Sequence, residues 1–121
     1  MENKKIQQTN KSREKRIYDE IIVDCYDEIE QMMGWWYYLD NTLKFPFTAK
    51  CIKTKNISPL KIGETVKAIG MGALEDCESD MFVIIEWCGR KLGVPFAQLE
   101  PAKSHTQAGQ VAEDWRYWSR H

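Results

Sequence analysis

The chain changes hydrophobic period twice, and that change predicts an α+β fold. Across residues 17–43 apolar residues recur every three or four positions, across 47–101 short runs alternate, and across 107–120 the helical spacing returns. Strand-rich sequence held between helical ends suggests a small SH3-like antiparallel β-barrel flanked by N-terminal helices and a C-terminal helix. A chain of 121 residues suits one domain and is long enough to bury a real core.

Residues 1–12 are polar and charged, with little to bury beyond Ile6. They read as a disordered tail, leaving a single domain over 13–120. Residues 13–43 are helical. Ile17, Ile21, Cys25, Ile29, Met32, Trp36, Leu39 and Leu43 form one apolar stripe at helical spacing. Two helices are expected rather than one. Asp27-x-x-Glu30 has the form of a capping box, and the β-branched run Ile21-Ile22-Val23 before it weakens helix propensity. The aromatic stretch Trp35-Trp36-Tyr37-Tyr38 points in all directions around a helix. It therefore serves burial against the barrel better than an aromatic cage or a base-stacking surface.

Pro46 disfavours helix in the residue before it, so the helix ends there. The barrel then spans 47–101. Phe47 to Thr54 alternates and reads as the first strand, and Leu60-Lys-Ile-Gly63 leads into a second strand around Val66 and Ala68. Met81 to Trp87 is apolar on both faces, which places it centrally in the sheet. Cys88-Gly89 suits a hairpin turn, because glycine accepts positive φ. Pro95 belongs at a strand end or an edge. Val66, Ala68, Val83, Ile85, Leu92 and Val94 are the expected barrel core. Ala97-Gln98-Leu99 reads as a short 3₁₀ turn, and Lys103 to Thr106 as a linker. A helix over 107–120 presents Ala108, Val111, Trp115 and Trp118 on one face.

Net charge is −1, so global charge selects no partner, but charge is segregated in blocks. Residues 17–40 carry seven acidic groups and no basic one, and 73–86 carry five acidic and none basic. Residues 41–72 carry six lysines, Lys44, Lys50, Lys53, Lys55, Lys61 and Lys67, against Glu64. Acidic blocks concentrate cations. Cys25, Cys51, Cys77 and Cys88 form no Cys-x-x-Cys pair, so zinc-ribbon spacing is absent. The N-terminus has no secretory signal pattern and no run is apolar enough for a membrane span, so a cytoplasmic protein with reduced thiols is expected. His105 and His121 lie in the linker and at the last position, where neither is placed as a rigid catalytic base. No phosphate loop, dinucleotide fingerprint or nucleophile elbow occurs. The chain reads as a non-enzyme.

The sharpest chemical feature is Glu75-Asp76-Cys77-Glu78-Ser79-Asp80, between two expected strands. Asp76, Glu78 and Asp80 alternate, with Glu75 in reserve. Carboxylates so placed can converge on a hard cation if the loop curls, and Ca²⁺ takes six to eight oxygens in a flexible shell. The start resembles an EF-hand loop, but Met81 stands where the invariant glycine belongs and Trp87 where the bidentate glutamate belongs. An EF-hand is therefore excluded. The bland alternative is a polar hairpin tip.

Several stretches resemble one family. They include Glu20-Ile-Ile-Val-Asp24-Cys-Tyr26, Met33-Gly-Trp-Trp-Tyr-Tyr-Leu39, Phe45-Pro-Phe47, Ser58-Pro-Leu60-Lys, Gly63-Glu-Thr-Val66 and Glu113-Asp-Trp-Arg-Tyr-Trp118. Together they resemble the cyanobacterial-type calcium-binding protein family, CcbP, over about residues 13–118. The resemblance implies an SH3-like barrel with helices, and Ca²⁺ held by surface carboxylates as buffer or sensor. Carried over to this chain, it implies Asp24 and Asp40 beside Glu75, Asp76, Glu78 and Asp80 as metal ligands. Buffering members of the family are strongly acidic, so a near-neutral chain implies weaker long-range attraction and modest affinity. The partners expected are calcium ions and an unidentified protein, with neither nucleic acid nor membrane. The competing reading is an SH3-like interaction module that binds a protein, or RNA through the lysine block.

Overall fold

The structure is a computed structural model that describes residues 10–103 and 106–120. The tail expected over 1–12 lies outside these residues up to position 9, and 10–12 already belong to a helix. Of the expected linker, Ser104 and His105 also lie outside them.

The N-terminal helical segment runs over 10–16 and widens into a π-helical turn, Ile17–Ile21. Helix α1 spans Glu28–Thr42 and helix α2 Thr106–Ser119. Between them lie β1 (Phe47–Cys51), β2 (Thr65–Met71), β3 (Phe82–Trp87), β4 (Arg90–Pro95) and β5 (Leu99–Pro101). All pairings are antiparallel, in the order β4-β3-β2-β1-β5.

The break between the first helices is the predicted one. Asp27 is the N-cap, and its Oδ1 accepts from the Glu30 N–H at 2.8 Å. The return bond differs: the Glu30 carboxylate accepts from Tyr26 N–H, one residue before the cap. The break also resets the helical phase, which corrects the single stripe. Ile17, Ile21, Met32, Leu39 and Leu43 are buried, but Ile29 faces solvent, Cys25 and Trp36 are half-buried, and Trp35 is fully enclosed. Gly34 permits the close crossing, because a Cβ there would lie 2.8 Å from the Ile21 carbonyl oxygen.

The five strands expected over 47–101 are present, with shorter ends: the first stops at Cys51 and the third starts at Phe82. β3 is an inner strand, and the β3–β4 hairpin turns at Cys88 (φ 49) and Gly89 (φ 77), the two positive-φ residues of a type I′ turn. Val66, Ala68, Val83, Ile85 and Val94 are buried as expected; Leu92, nearer the hairpin end of the edge strand than Val94, is only half-buried. Pro95 ends that edge strand. The 3₁₀ turn falls one residue earlier than predicted, at Phe96–Gln98.

The sheet is curled. Pro95 ends β4 and Leu99 begins β5, yet these strands are opposite edges of the ladder. Four strand spacings in a flat sheet span about 19 Å, whereas four residues reach at most about 14 Å. A β-bulge between Ala68 and Gly70 bends β2. Among the described residues β4 and β5 do not pair with each other, so the edges are joined by the chain and not by a ladder. The expected closed barrel is an open, curled sheet.

The core fills between sheet and helices. Trp35 and Trp115 meet edge to face at 5.1 Å between ring centroids, and Trp118 packs on both. Asp114 is the surprise on the buried face of α2. It is fully enclosed, taking Arg16 Nε at 2.7 Å, Arg16 Nη2 at 2.8 Å and Arg13 Nε at 3.0 Å. Among the described residues no helix is long and apolar enough to cross a membrane.

Candidate functional site

The acidic segment forms the connection between β2 and β3. Its base is fixed from two sides. Gly72 N–H donates to the Phe82 carbonyl at 2.8 Å, and the Trp36 indole N–H donates to the Gly72 carbonyl at 2.9 Å, tying α1 to the loop. The chain then makes one 3₁₀ turn, Leu74–Asp76, and plants Cys77 inside. Cys77 Sγ accepts from Phe82 N–H at 3.4 Å. Burial pushes its thiol pKa up, and the backbone bond to Phe82 pulls the other way. Cys77 is thus an anchor and not a nucleophile.

With Cys77 inward and Met81 fully buried, Glu75, Asp76 and Glu78 stand in solvent. Asp80 differs. It is half-buried, and its Oδ1 accepts from Met81 N–H at 2.8 Å. Burial raises its pKa above the ordinary 3.8, opposed by the Met81 N–H and by the nearby Lys55 and Lys53 charges.

The structure groups these acids unevenly. Glu75 and Glu78 rim a cavity of about 320 Å³ with Ile29, Met32, Met33, Leu74 and Cys77. Glu78 also lines a larger groove of about 640 Å³, whose walls include Glu14 and Glu28 from the helical segments. Asp24 lies in the turn after the π-helix at φ 58, and Asp40 is exposed on α1; neither lines these cavities. Among the described residues no three His, Cys, Asp or Glu side chains are grouped to hold a metal ion. The 3₁₀ turn and the inward Cys77 break the alternation that would aim Asp76, Glu78 and Asp80 at one point, and Asp80 is turned to its own backbone.

Two features escaped the sequence. Glu14 and Glu28 join Glu78 across 50 residues or more of chain, and no local pattern signals that. Asp114 had a signal: it lies three residues after Val111 on the apolar face of α2. Register sets an acid beside two residues of the lysine block, with Lys50 opposite Glu100 and Lys67 opposite Glu86.

Fold and loop together define a small α+β domain that presents carboxylate oxygens from a tethered sheet loop, outside any EF-hand frame. A family model described as calcium binding, Calci_bind_CcbP, matches residues 15–119. The chain belongs to this CcbP family. Among solved structures it is similar to CcbP of Anabaena, at 36% identity over 89% of each chain with a TM-score of 0.77. A second similar structure is a calcium-binding protein in the calcium-binding form, at 35% identity over 88% of each chain with a TM-score of 0.76. A search of curated proteins found no match.

Proposed function

We propose that this protein binds Ca²⁺ through surface carboxylates with modest affinity, as a non-enzymatic buffer or sensor in the cytoplasm. Membership of a family described as calcium binding carries this reading. The residues present suit the ion. Glu75, Asp76, Glu78 and Asp80 offer hard oxygen donors within six positions, and among the described residues none of them is held in a salt bridge. Calcium would supply charge neutralisation there, drawing side chains that now repel one another. Glu75, Asp76 and Glu78 have no buried packing to break in order to turn, while Asp80 gives up or shares its bond to Met81 N–H. A net charge of −1 provides little long-range attraction, so the local cluster does the concentrating. Asp24, ahead of α1, and Asp40, near its end, are weaker candidate ligands apart from the loop and too far from each other along the helix to share one ion. The curled sheet, with a 3₁₀ turn leading into a last strand that pairs with β1, supports reading the fold as SH3-like.

Calorimetric titration with calcium, and with magnesium as control, tests the assignment. Magnesium should bind less well, because it demands a tight octahedron and sheds water reluctantly. The Asp76→Asn, Asp80→Asn protein should lose calcium affinity while keeping its fold. Unchanged stoichiometry and affinity in that protein would overturn the ligand assignment.

A further inference from the structure

Helix α1 carries an apolar face that nothing among the described residues covers. On this helix Ile29 is 73% exposed, Met33 39% and Tyr37 49%, and Tyr26, just ahead of its N-cap, is 85% exposed. Ile29, Met33 and Tyr37 follow at i, i+4 and i+8, so they line one side of the helix. That face does not end at the helix surface. Ile29 and Met33 also form the lip of the 320 Å³ cavity, with Met32 and Leu74 deeper in. On the other side of Met32 opens the 640 Å³ groove, which shares Met32 and Glu78 with the first. The charged groups on the combined surface are all acidic among the described residues. They are Glu14, Glu28, Glu75 and Glu78, and among the described residues no lysine or arginine lines either cavity.

An apolar strip with methionines, leading into cavities whose charged lining residues are carboxylates, has a defined complement. The occupant must bring bulky apolar side chains at helical spacing and cationic side chains beside them. We propose that this surface docks a basic amphipathic helix of a partner protein, and that calcium in the 75–80 loop weakens the docking. Methionine side chains adapt to varied apolar partners, and an amphipathic helix laid in a groove is read through its i, i+3/i+4, i+7 anchors. The calcium half rests on the reading under Proposed function; the docking half does not. The coupling has a physical origin. Glu75 and Glu78 belong to both the rim and the metal loop, so an ion that neutralises them removes charge that the basic helix needs. Coupling between two binding events is reciprocal.

A labelled synthetic helix of about 18 leucine and lysine residues, about five turns long, is the probe, with leucines at helical spacing. The same composition in scrambled order is the control. In chelator, fluorescence anisotropy should show the ordered peptide binding about tenfold or more tighter than the scrambled one, a gap of about 1.4 kcal/mol. Ile29→Ser with Met33→Ser should erase that preference. Both positions are exposed, so the fold survives, and far-UV circular dichroism checks it. Glu28→Gln, outside the metal loop, should weaken ordered-peptide binding severalfold. At matched ionic strength, saturating calcium should weaken the peptide by the factor by which the peptide weakens calcium. Equal binding of the scrambled peptide, or a preference that survives the double serine change, overturns the docking surface. Calcium titration without peptide separates the two halves. Selective peptide binding with no calcium bound keeps the docking surface and sinks the metal reading, whereas both ligands bound without mutual effect sinks the coupling.

Discussion

Asp114 and the 75–80 loop hold the same chemical group in opposite settings. Asp114 is fully enclosed on α2 and receives three hydrogen bonds from two arginines of the N-terminal segment. Arg13 also reaches Glu113 at 3.3 Å, and the Asp114 bond raises the Arg16 pKa. The loop carboxylates stand in water or at its edge, tied by one backbone bond at Asp80. A fully enclosed carboxylate already paired with two guanidinium groups has little to offer an ion, and it locks two distant segments together. A carboxylate held only by its own chain contributes little to the fold and keeps its oxygens available. The charge blocks of the sequence conceal this division, because a block count treats every acid alike.

The largest expected effect tests the structural side. Asp114→Ala leaves Arg13 and Arg16 without their shared counter-charge. Breaking a buried ion pair from one side costs about 3–5 kcal/mol. The two arginine side chains retain 14% and 22% exposure, so partial hydration places the loss near the lower end of that range. Urea unfolding measures it, and a loss comparable to that of an exposed surface change would mean that the cluster does not hold the segment. Calcium affinity should stay as it was.

Calcium tests the other side. If it binds the native state alone, calcium at a hundred times its dissociation constant should add about 2.7 kcal/mol, visible as a raised melting temperature. Magnesium should add less. A melting curve identical in chelator and in excess calcium would erase the functional half of the contrast.

The smallest effect concerns Asp80, which sits between the two settings. Its pKa is raised in the folded state, first by burial, against the pull of Met81 N–H, Lys55 and Lys53. A carboxyl raised on folding favours the native state below its unfolded pKa, and that contribution is lost as pH rises through the folded pKa. At neutral pH the charged Asp80 is therefore slightly unfavourable. In chelator, Asp80→Asn should be as stable as the parent or slightly more so at pH 7, with the advantage fading below the ordinary value of 3.8. Asparagine still offers an oxygen to Met81 N–H. Destabilisation at pH 7 would show that the Lys53 and Lys55 charges outweigh burial.

The sequence by itself determined whatever rests on neighbours a few residues apart. Helical spacing located α1 and α2, Asp27 and Glu30 marked where α1 starts, Cys88-Gly89 marked the hairpin, and alternation found the strands. The acidic loop was legible as the link between β2 and β3. Tertiary structure alone decided which way that loop's side chains point, because the inward Cys77 and the Trp36 bond to Gly72 come from packing against α1. It also turned Ile29 outward and Trp35 inward once the cap had reset the helical phase. The same holds for joining Glu78 to Glu14 and Glu28, and for curling the sheet until a three-residue turn could connect its opposite edges. Asp114 shows the physical reason most directly. Its position on an apolar helix face is written locally, but whether a carboxylate there is tolerable depends on Arg13 and Arg16, 101 and 98 positions away in the chain. Periodicity carries no information across that separation.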